Sequence, residues 1–218
     1  MTRLAIFDCD GTLVDSQANI CRALEETFSE ARVEVPSRDR IRRAVGLSLL
    51  EVMHSLLPDA PQADHHRLAQ AYRDKFFAMR TGGLLADEPL FDGMGAMIAQ
   101  LAGDGWLLGV ATGKSDRGLN HVLATHNLQH HFVTLQTADR HPSKPHPSMI
   151  EAAIAEAGAD RARTTMIGDT SYDIVMAVNA GVRAIGVGWG YHPPEELVAA
   201  GAHGVALAVA DLPHHLEP

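Results

Sequence analysis

The 218-residue chain carries 18 Lys and Arg against 27 Asp and Glu, a formal net charge of −9, and is 46% hydrophobic and 21% charged. That length suits one large domain or a core with an insertion, and the negative balance argues against nucleic acid or an anionic membrane surface as a partner. Cys9 and Cys21 are too few for a disulfide framework, no apolar run has the length of a transmembrane helix, and "MTRLAIFDCDG" lacks the apolar stretch of a signal peptide, so the expected home is cytoplasmic.

A short β-rich apolar run at 3–7 reads as a buried parallel strand. From 16 to about 90 the pattern is helical only. Ile20, Leu24 and Phe28 share one stripe, Leu49, Val52, Met53 and Leu56 a second, and Leu68, Tyr72, Phe76 and Met79 a third. Pro36, Pro58 and Pro61 punctuate these helices. After "GGLLADEPLFDG" strands and helices alternate. Met94, Met97, Ile98 and Leu101 form a helix face, "WLLGVAT" (106–112) a strand, and Leu119, Val122, Leu123 and His126 a helix face. "FVTLQT" (132–137), "RTTMIGD" (163–169) and "RAIGVGW" (183–189) are further strands, with helical faces at Ile150, Ala153, Ile154 and Ala157 and at Ile174, Val175 and Val178 between them. A weaker sixth strand starts at Gly204. Such alternation predicts an α/β fold, a doubly wound parallel sheet with right-handed crossovers. The predicted organisation is a core of residues 1–15 and 90–218 with an inserted all-helical domain of residues 16–89.

In an open parallel sheet ligands bind beyond the carboxyl ends of the strands, so the residues just after each strand carry the chemical information. Asp8 and Asp10 follow the first strand, with Cys9 between them and Gly11 and Thr12 behind. Thr112, Gly113 and Lys114 follow the second, Lys144 in "PSKPHP" the third, and Asp169 and Asp173 in "GDTSYD" the fourth. Singly each is an ordinary turn, cap or loop residue; at successive strand ends of one sheet they read as a site. One lysine cannot neutralise four carboxylates, whereas a hard divalent cation such as Mg2+ can. One aspartate is then free to attack phosphorus and form an aspartyl-phosphate. A second, two residues on, suits proton transfer to the leaving oxygen and later from water. Thr112 and Lys144, with backbone N–H groups of the turn and helix starts, suit the phosphoryl oxygens.

"DCDGTLVDS", "ATGKS", "SKPHP" and "GDTSYDI" resemble, in order, the four motifs of the haloacid dehalogenase-like (HAD) hydrolase superfamily. The helical block after the first resembles the inserted C1 cap of that superfamily. The resemblance covers essentially the whole chain and is nearest to phosphoglycolate phosphatase-like members. It implies a HAD-like Rossmannoid core, Mg2+ as cofactor and a small phosphorylated metabolite as substrate. Asp8 is implied as nucleophile, Asp10 as general acid and base, Thr112 as a phosphate ligand, and Lys144 as steadying both nucleophile and phosphate. Mg2+ is implied to be held by Asp8, the backbone carbonyl of Asp10 and Asp169, with Asp173 bound directly or one shell out. Gly11 and Thr12 begin the flap to the cap, whose closure would exclude water. The Cys9 side chain is expected to pack on the other side by strand alternation, leaving its N–H, with the turn amides of Gly11 and Gly113, for phosphate. The expected assembly is a monomer or homodimer.

Within the superfamily, Asp10 argues against dehalogenases, which generally lack the second aspartate, and against phosphonate hydrolases, which usually place Ala there and use a cap lysine. Sugar phosphomutases typically carry a basic residue after a cap "GxS", where "AVGLSLLEV" has Leu49. A phosphatase leads; a pyrophosphatase, a phosphomutase and a non-enzymatic phosphate-binding regulator are the alternatives. The loop of Gly46, Leu47 and Ser48 is expected to face the site. Arg43, or its neighbour Arg42, is the candidate for a second anionic group, since a guanidinium fork matches a carboxylate. His126, His130, His131, His141 and His146 lack a zinc spacing and are read as structural. His214 and His215 fall in a tail expected to be loosely ordered. Trp106 and Trp189 are expected to pack in the core, with Trp189 and Tyr191 near the rim of the site. Lys114 has no assigned role.

Overall fold

The computed structural model describes residues 2–216. After strand β1 (Leu4–Phe7) come four helices in succession, α1 (Gln17–Glu30), α2 (Arg38–Ala44), α3 (Leu49–Leu56) and α4 (Gln62–Thr81). Alternation then takes over: α5 (Met94–Gly103), β2 (Leu107–Thr112), α6 (Asp116–Thr125), β3 (Phe132–Thr137), α7 (Ser148–Ala157), β4 (Thr164–Gly168), α8 (Ser171–Ala180) and β5 (Arg183–Val187). The chain closes with α9 (Pro194–Ala199), β6 (Gly204–Ala206) and α10 (Leu212–Leu216). All six strands lie where the apolar runs put them. They form one parallel sheet in the order β3-β2-β1-β4-β5-β6.

The near-unbroken apolar character of β1 follows from its central place, since both faces are covered. Leu4 and Ile6 enter one cluster with Met149 and Ile150 of α7 and Ile174 and Ala177 of α8. Ala5, Phe7 and Cys9 enter the opposite one with Met94 and Ile98 of α5 and Leu119 and Leu123 of α6. The chain builds outward from β1 through β2 to β3, then returns to the other side of β1 with β4. Strand order therefore reverses between β1 and β4, the crevice in which open α/β sheets bind ligands. The amide of Asp8 donates to the Ile167 carbonyl at 2.9 Å, so the two strand ends open together.

The helices α1–α4 gather around an apolar cluster of their own, with Ile20, Leu24, Phe28, Ile41, Met53, Leu56 and Leu68 buried in it. The stripe on α1 faces inward whole, and α3 buries Val52, Met53 and Leu56. Phe28 is fully buried, so Phe28→Ala is expected to cost about 3–5 kcal/mol, the transfer and cavity cost of a core aromatic, measured as a shift in urea unfolding. The α4 stripe divides: Leu68 and Met79 are buried, while Tyr72 and Phe76 between them are only partly covered.

Two local expectations are corrected. On α8 the face at Ile174, Val175 and Val178 is rotated: Val178 is 49% exposed, while Asp173, Ile174, Ala177 and Ala180 turn inward. The cause is Asp173 itself, whose buried carboxylate must reach the site and fixes the helix face. The His214–His215 tail is helical, because α10 seats Leu212 and Leu216 in the core beside Val209. Trp106 and Trp189 pack against the same cluster, and the Trp189 indole N–H donates to the Thr12 carbonyl at 3.2 Å. No described helix is long and apolar enough to cross a membrane.

Candidate active site

Asp8 is the first residue past β1 and is fully buried. Its Oδ1 accepts the Cys9 amide at 2.6 Å and the Lys144 ammonium at 2.9 Å, while its buried Oδ2 has no hydrogen-bond partner among the described residues. Lys144, itself 1% exposed, reaches Asp173 Oδ1 at 2.6 Å as well. The other oxygen of Asp173 accepts from the Thr170 amide at 3.0 Å and hydroxyl at 2.8 Å, the capping box that starts α8. Asp169 follows β4; its two oxygens take the Thr12 hydroxyl at 2.8 Å and the Tyr191 amide at 2.9 Å.

Asp8, Asp169 and Asp173 each bring an oxygen within 4.8 Å of the other two. The Asp8 carboxyl is raised to about 7, by burial first, with Lys144 pulling it down and Asp173 and Asp10 pushing it up. Burial also raises Asp169 well above the usual carboxylate range, with Asp173 and Asp8 adding to it. Burial disfavours the Lys144 cation, yet Asp173 and Asp8 outweigh that and hold it protonated. Asp8 and Asp173 share one lysine, Asp169 has no cation paired with it among the described residues, and one Asp8 oxygen is without a partner there. An all-oxygen donor set with surplus negative charge fits a hard divalent cation.

Asp10 belongs to a different pair. Its Oδ1 binds the Lys114 ammonium at 2.8 Å and the Ser16 hydroxyl, and Tyr191 OH lies 3.3 Å from that hydroxyl. Of the four residues implied as metal donors, Asp8, Asp169 and Asp173 form the carboxylate cluster, and Asp10, implied through its backbone carbonyl, turns its carboxylate to a lysine. The charge count read from the motifs is corrected accordingly: two lysines, not one, meet the four acids. "TGK" puts Lys114 two residues past Thr112, on the loop beside β1, and that proximity was the available signal for its role.

Thr112, 1% exposed, ends β2, and its Oγ1 accepts the Lys114 amide at 3.3 Å. The Cys9 side chain packs in the apolar cluster as strand alternation requires, and its amide is used on Asp8. Gly11 has φ +80°, and a Cβ there would run into the Asp169 carboxylate. Gly113 lies under the helical block, where a Cβ would strike the Leu47 carbonyl oxygen. The Ser48 amide donates to Ser143 Oγ at 2.8 Å, which ties the Gly46–Ser48 loop over the strand ends.

A cavity of about 630 Å³ lies between the helical block and the strand ends. Asp10, Gly46, Ser48, Gly113 and Lys114 line it, and Asp8, Thr112, Lys144, Asp169 and Asp173 are not among its walls. Arg43 is not among them either. Its guanidinium makes a two-pronged contact with Glu196 of α9 at 2.8 and 2.9 Å, and its carbonyl accepts the Tyr172 hydroxyl at 3.0 Å. The arginine expected to meet substrate thus joins α2 to α8 and α9. The cavity takes its arginines from elsewhere, Arg73 and Arg80 on α4 and Arg117 on α6, beside Lys114. Tyr72, Phe76 and Arg80 recur every fourth residue on one helix face; the apolar stripe reading took Tyr72 and Phe76 as core and passed over Arg80.

A family model described as haloacid dehalogenase-like hydrolase matches residues 5–187. The chain is 37% identical over 204 residues to a protein of Dickeya dadantii named "Probable phosphatase IndB", covering 92% of this chain and 87% of that one. It is 29% identical over 196 residues to a phosphoglycolate phosphatase of Agrobacterium fabrum, covering 88% of this chain and 82% of the relative. The fold superimposes on a haloacid dehalogenase-like family hydrolase from Streptococcus pneumoniae with a TM-score of 0.85 at 22% identity, over 99% of both chains.

Proposed function

The chain belongs to the haloacid dehalogenase-like hydrolases, and from that premise we propose that it is a Mg2+-dependent phosphatase that hydrolyses a phosphomonoester of a small metabolite through an aspartyl-phosphate on Asp8. The observation that carries the reading is Asp8 Oδ2: a buried carboxylate oxygen with no partner among the described residues, next to one held by Lys144 and the Cys9 amide. One oxygen is oriented and the other is free to react, as a nucleophile requires.

In this reading Asp8, Asp169 and Asp173 hold Mg2+, with the Asp10 carbonyl as a further donor. When bound, Mg2+ would supply positive charge against which an anionic phosphoryl group could approach these carboxylates. Asp8 Oδ2 attacks phosphorus, the bond from phosphorus to the ester oxygen breaks, and Asp10 gives that oxygen its proton. Water then attacks the phosphoryl group, Asp10 takes a proton from it, and the bond from phosphorus to Asp8 breaks to release phosphate. Lys144, Thr112 and the amide of Gly113 hold the phosphoryl oxygens. Lys114 and Ser16 hold the Asp10 carboxyl at the cavity wall, between leaving group and nucleophile. The Gly46–Ser48 loop keeps bulk water from the intermediate.

The test is phosphate release from a panel of acetyl phosphate, 2-phosphoglycolate, sugar phosphates and pyrophosphate with and without Mg2+. A rapid acid quench follows, and the labelled peptide is mapped. Mg2+-dependent release with a hydroxylamine-labile phosphate on the peptide of Asp8 is expected. Release with no covalent phosphate at any quench time, or label on another residue, overturns the reading.

A further inference from the structure

The cavity in front of Asp10 is built for more than a two-carbon acid. At roughly 30 Å³ per water molecule, its 630 Å³ would leave a bound phosphoglycolate largely surrounded by solvent, whereas cavities of this size ordinarily enclose ligands of drug size. Its walls divide into two chemistries. Ile20, Leu24 and Val52 with Tyr72, Phe76 and Phe77 form an apolar and aromatic side. The guanidinium of Arg80 lies 5.1 Å from the Phe76 ring centre and that of Arg117 lies 4.6 Å from the Phe77 ring centre.

Arg73, Arg80 and Arg117 form no ion pair among the described residues, although the chain is rich in acids, and the buried Nε of Arg80 has no hydrogen-bond partner. All three line the cavity, so their guanidinium edges are open to acceptors on a ligand seated there. An aliphatic leaving group would satisfy the apolar wall and strand the guanidiniums; a small carboxylate would do the reverse. A flat heteroaromatic ring meets both, because its faces stack on aromatic and guanidinium planes while its edge presents acceptors to N–H donors.

Resting on the phosphatase reading, we propose that the substrate is a phosphomonoester whose leaving group carries a heteroaromatic ring, seated against Tyr72 and Phe76 with Arg80 donating to its edge. Phe77 and Arg117 close the outer side of the cavity, and the phosphoryl end passes Asp10 and Lys114 to reach Asp8.

Steady-state kinetics with Mg2+ on adenosine 5′-monophosphate, uridine 5′-monophosphate, 2-phosphoglycolate and acetyl phosphate test this, beside calorimetric titration of adenosine and uridine. At least one nucleotide is expected to exceed phosphoglycolate by about tenfold or more in kcat/KM, and Arg80→Gln and Phe76→Leu are each expected to lower the nucleotide-to-acetyl-phosphate ratio by about tenfold, the scale of one stacked or donor contact. Phosphoglycolate preferred over both nucleotides, or a ratio unmoved in both variants, overturns the proposal. If no ester releases phosphate but a nucleoside binds the wild type and not Arg80→Gln, the phosphatase reading falls and the pocket assignment stands. If esters are cleaved and neither nucleoside binds, the pocket assignment falls alone.

Discussion

Asp8→Asn is expected to lower turnover by at least about a thousandfold, the scale on which removal of a nucleophile acts, and at the same time to make the metal-free protein less sensitive to pH. The first effect follows from chemistry, since an amide oxygen in this place does not attack phosphorus. The second follows from burial. In the folded chain the Asp8 carboxyl is raised from its ordinary 3.8 to about 7, by burial first and then by Asp173 and Asp10 against the pull of Lys144. Between those values the folded state holds a proton that the unfolded state has released. Stability from this group is therefore full below about pH 4 and is lost as the pH rises through about 7. Melting curves in chelator from pH 4 to 8 are expected to fall steadily for the wild type and less steeply for the variant, with Asp169 supplying the remaining slope. Added Mg2+ restores wild-type stability most at the upper end, where the three carboxylates are ionised together and folded protein gains RT ln(1 + [L]/Kd) from a bound ion. Equal slopes in the two proteins would remove Asp8 from the account of stability, and a variant with wild-type turnover would remove it from catalysis.

Lys144→Met is the second large effect. The substitution keeps most of the side-chain volume but leaves Asp8 and Asp173, both fully buried, without their shared cation. Breaking a buried pair in this way costs about 3–5 kcal/mol, because the surviving charges are uncompensated. Urea unfolding at pH 8 is expected to show a loss of that size. At pH 5 the loss shrinks, since the Asp8 carboxyl, raised to about 7, takes up a proton and needs less compensation. Turnover drops as well, because the phosphoryl oxygens lose a donor, an effect of about 100-fold to 1,000-fold in comparable sites. A variant as stable as the wild type at both pH values would mean that Lys144 balances no charge in the folded state.

The resemblance carried by "DCDGTLVDS", "ATGKS", "SKPHP" and "GDTSYDI" led to the family that the comparisons identify. It was legible because each motif is a local stretch: an apolar strand, then the residues its carboxyl end must present. Parallel strands all present that end on one side of the sheet, so Asp8, Thr112, Lys144 and Asp169 converge whatever the strand order. The same locality made the α1 and α5 faces readable, as a helix packed on one side repeats its apolar residues every three or four positions.

Sequence alone thus determined that an α/β sheet brings a set of acids, a hydroxyl and a lysine to one edge. Pairing was left to the tertiary structure. Lys114 meets Asp10, Lys144 is shared by Asp8 and Asp173, and Arg43 turns to Glu196, 153 positions away. Only the packed chain turned α8 to bury Asp173 and expose Val178, and only it moved Tyr72 and Phe76 from an apparent core stripe to a cavity wall, beside Arg80. The physical reason is that hydrophobic periodicity reports which side of an element is covered by something, while charge pairing and cavity lining depend on which distant element does the covering.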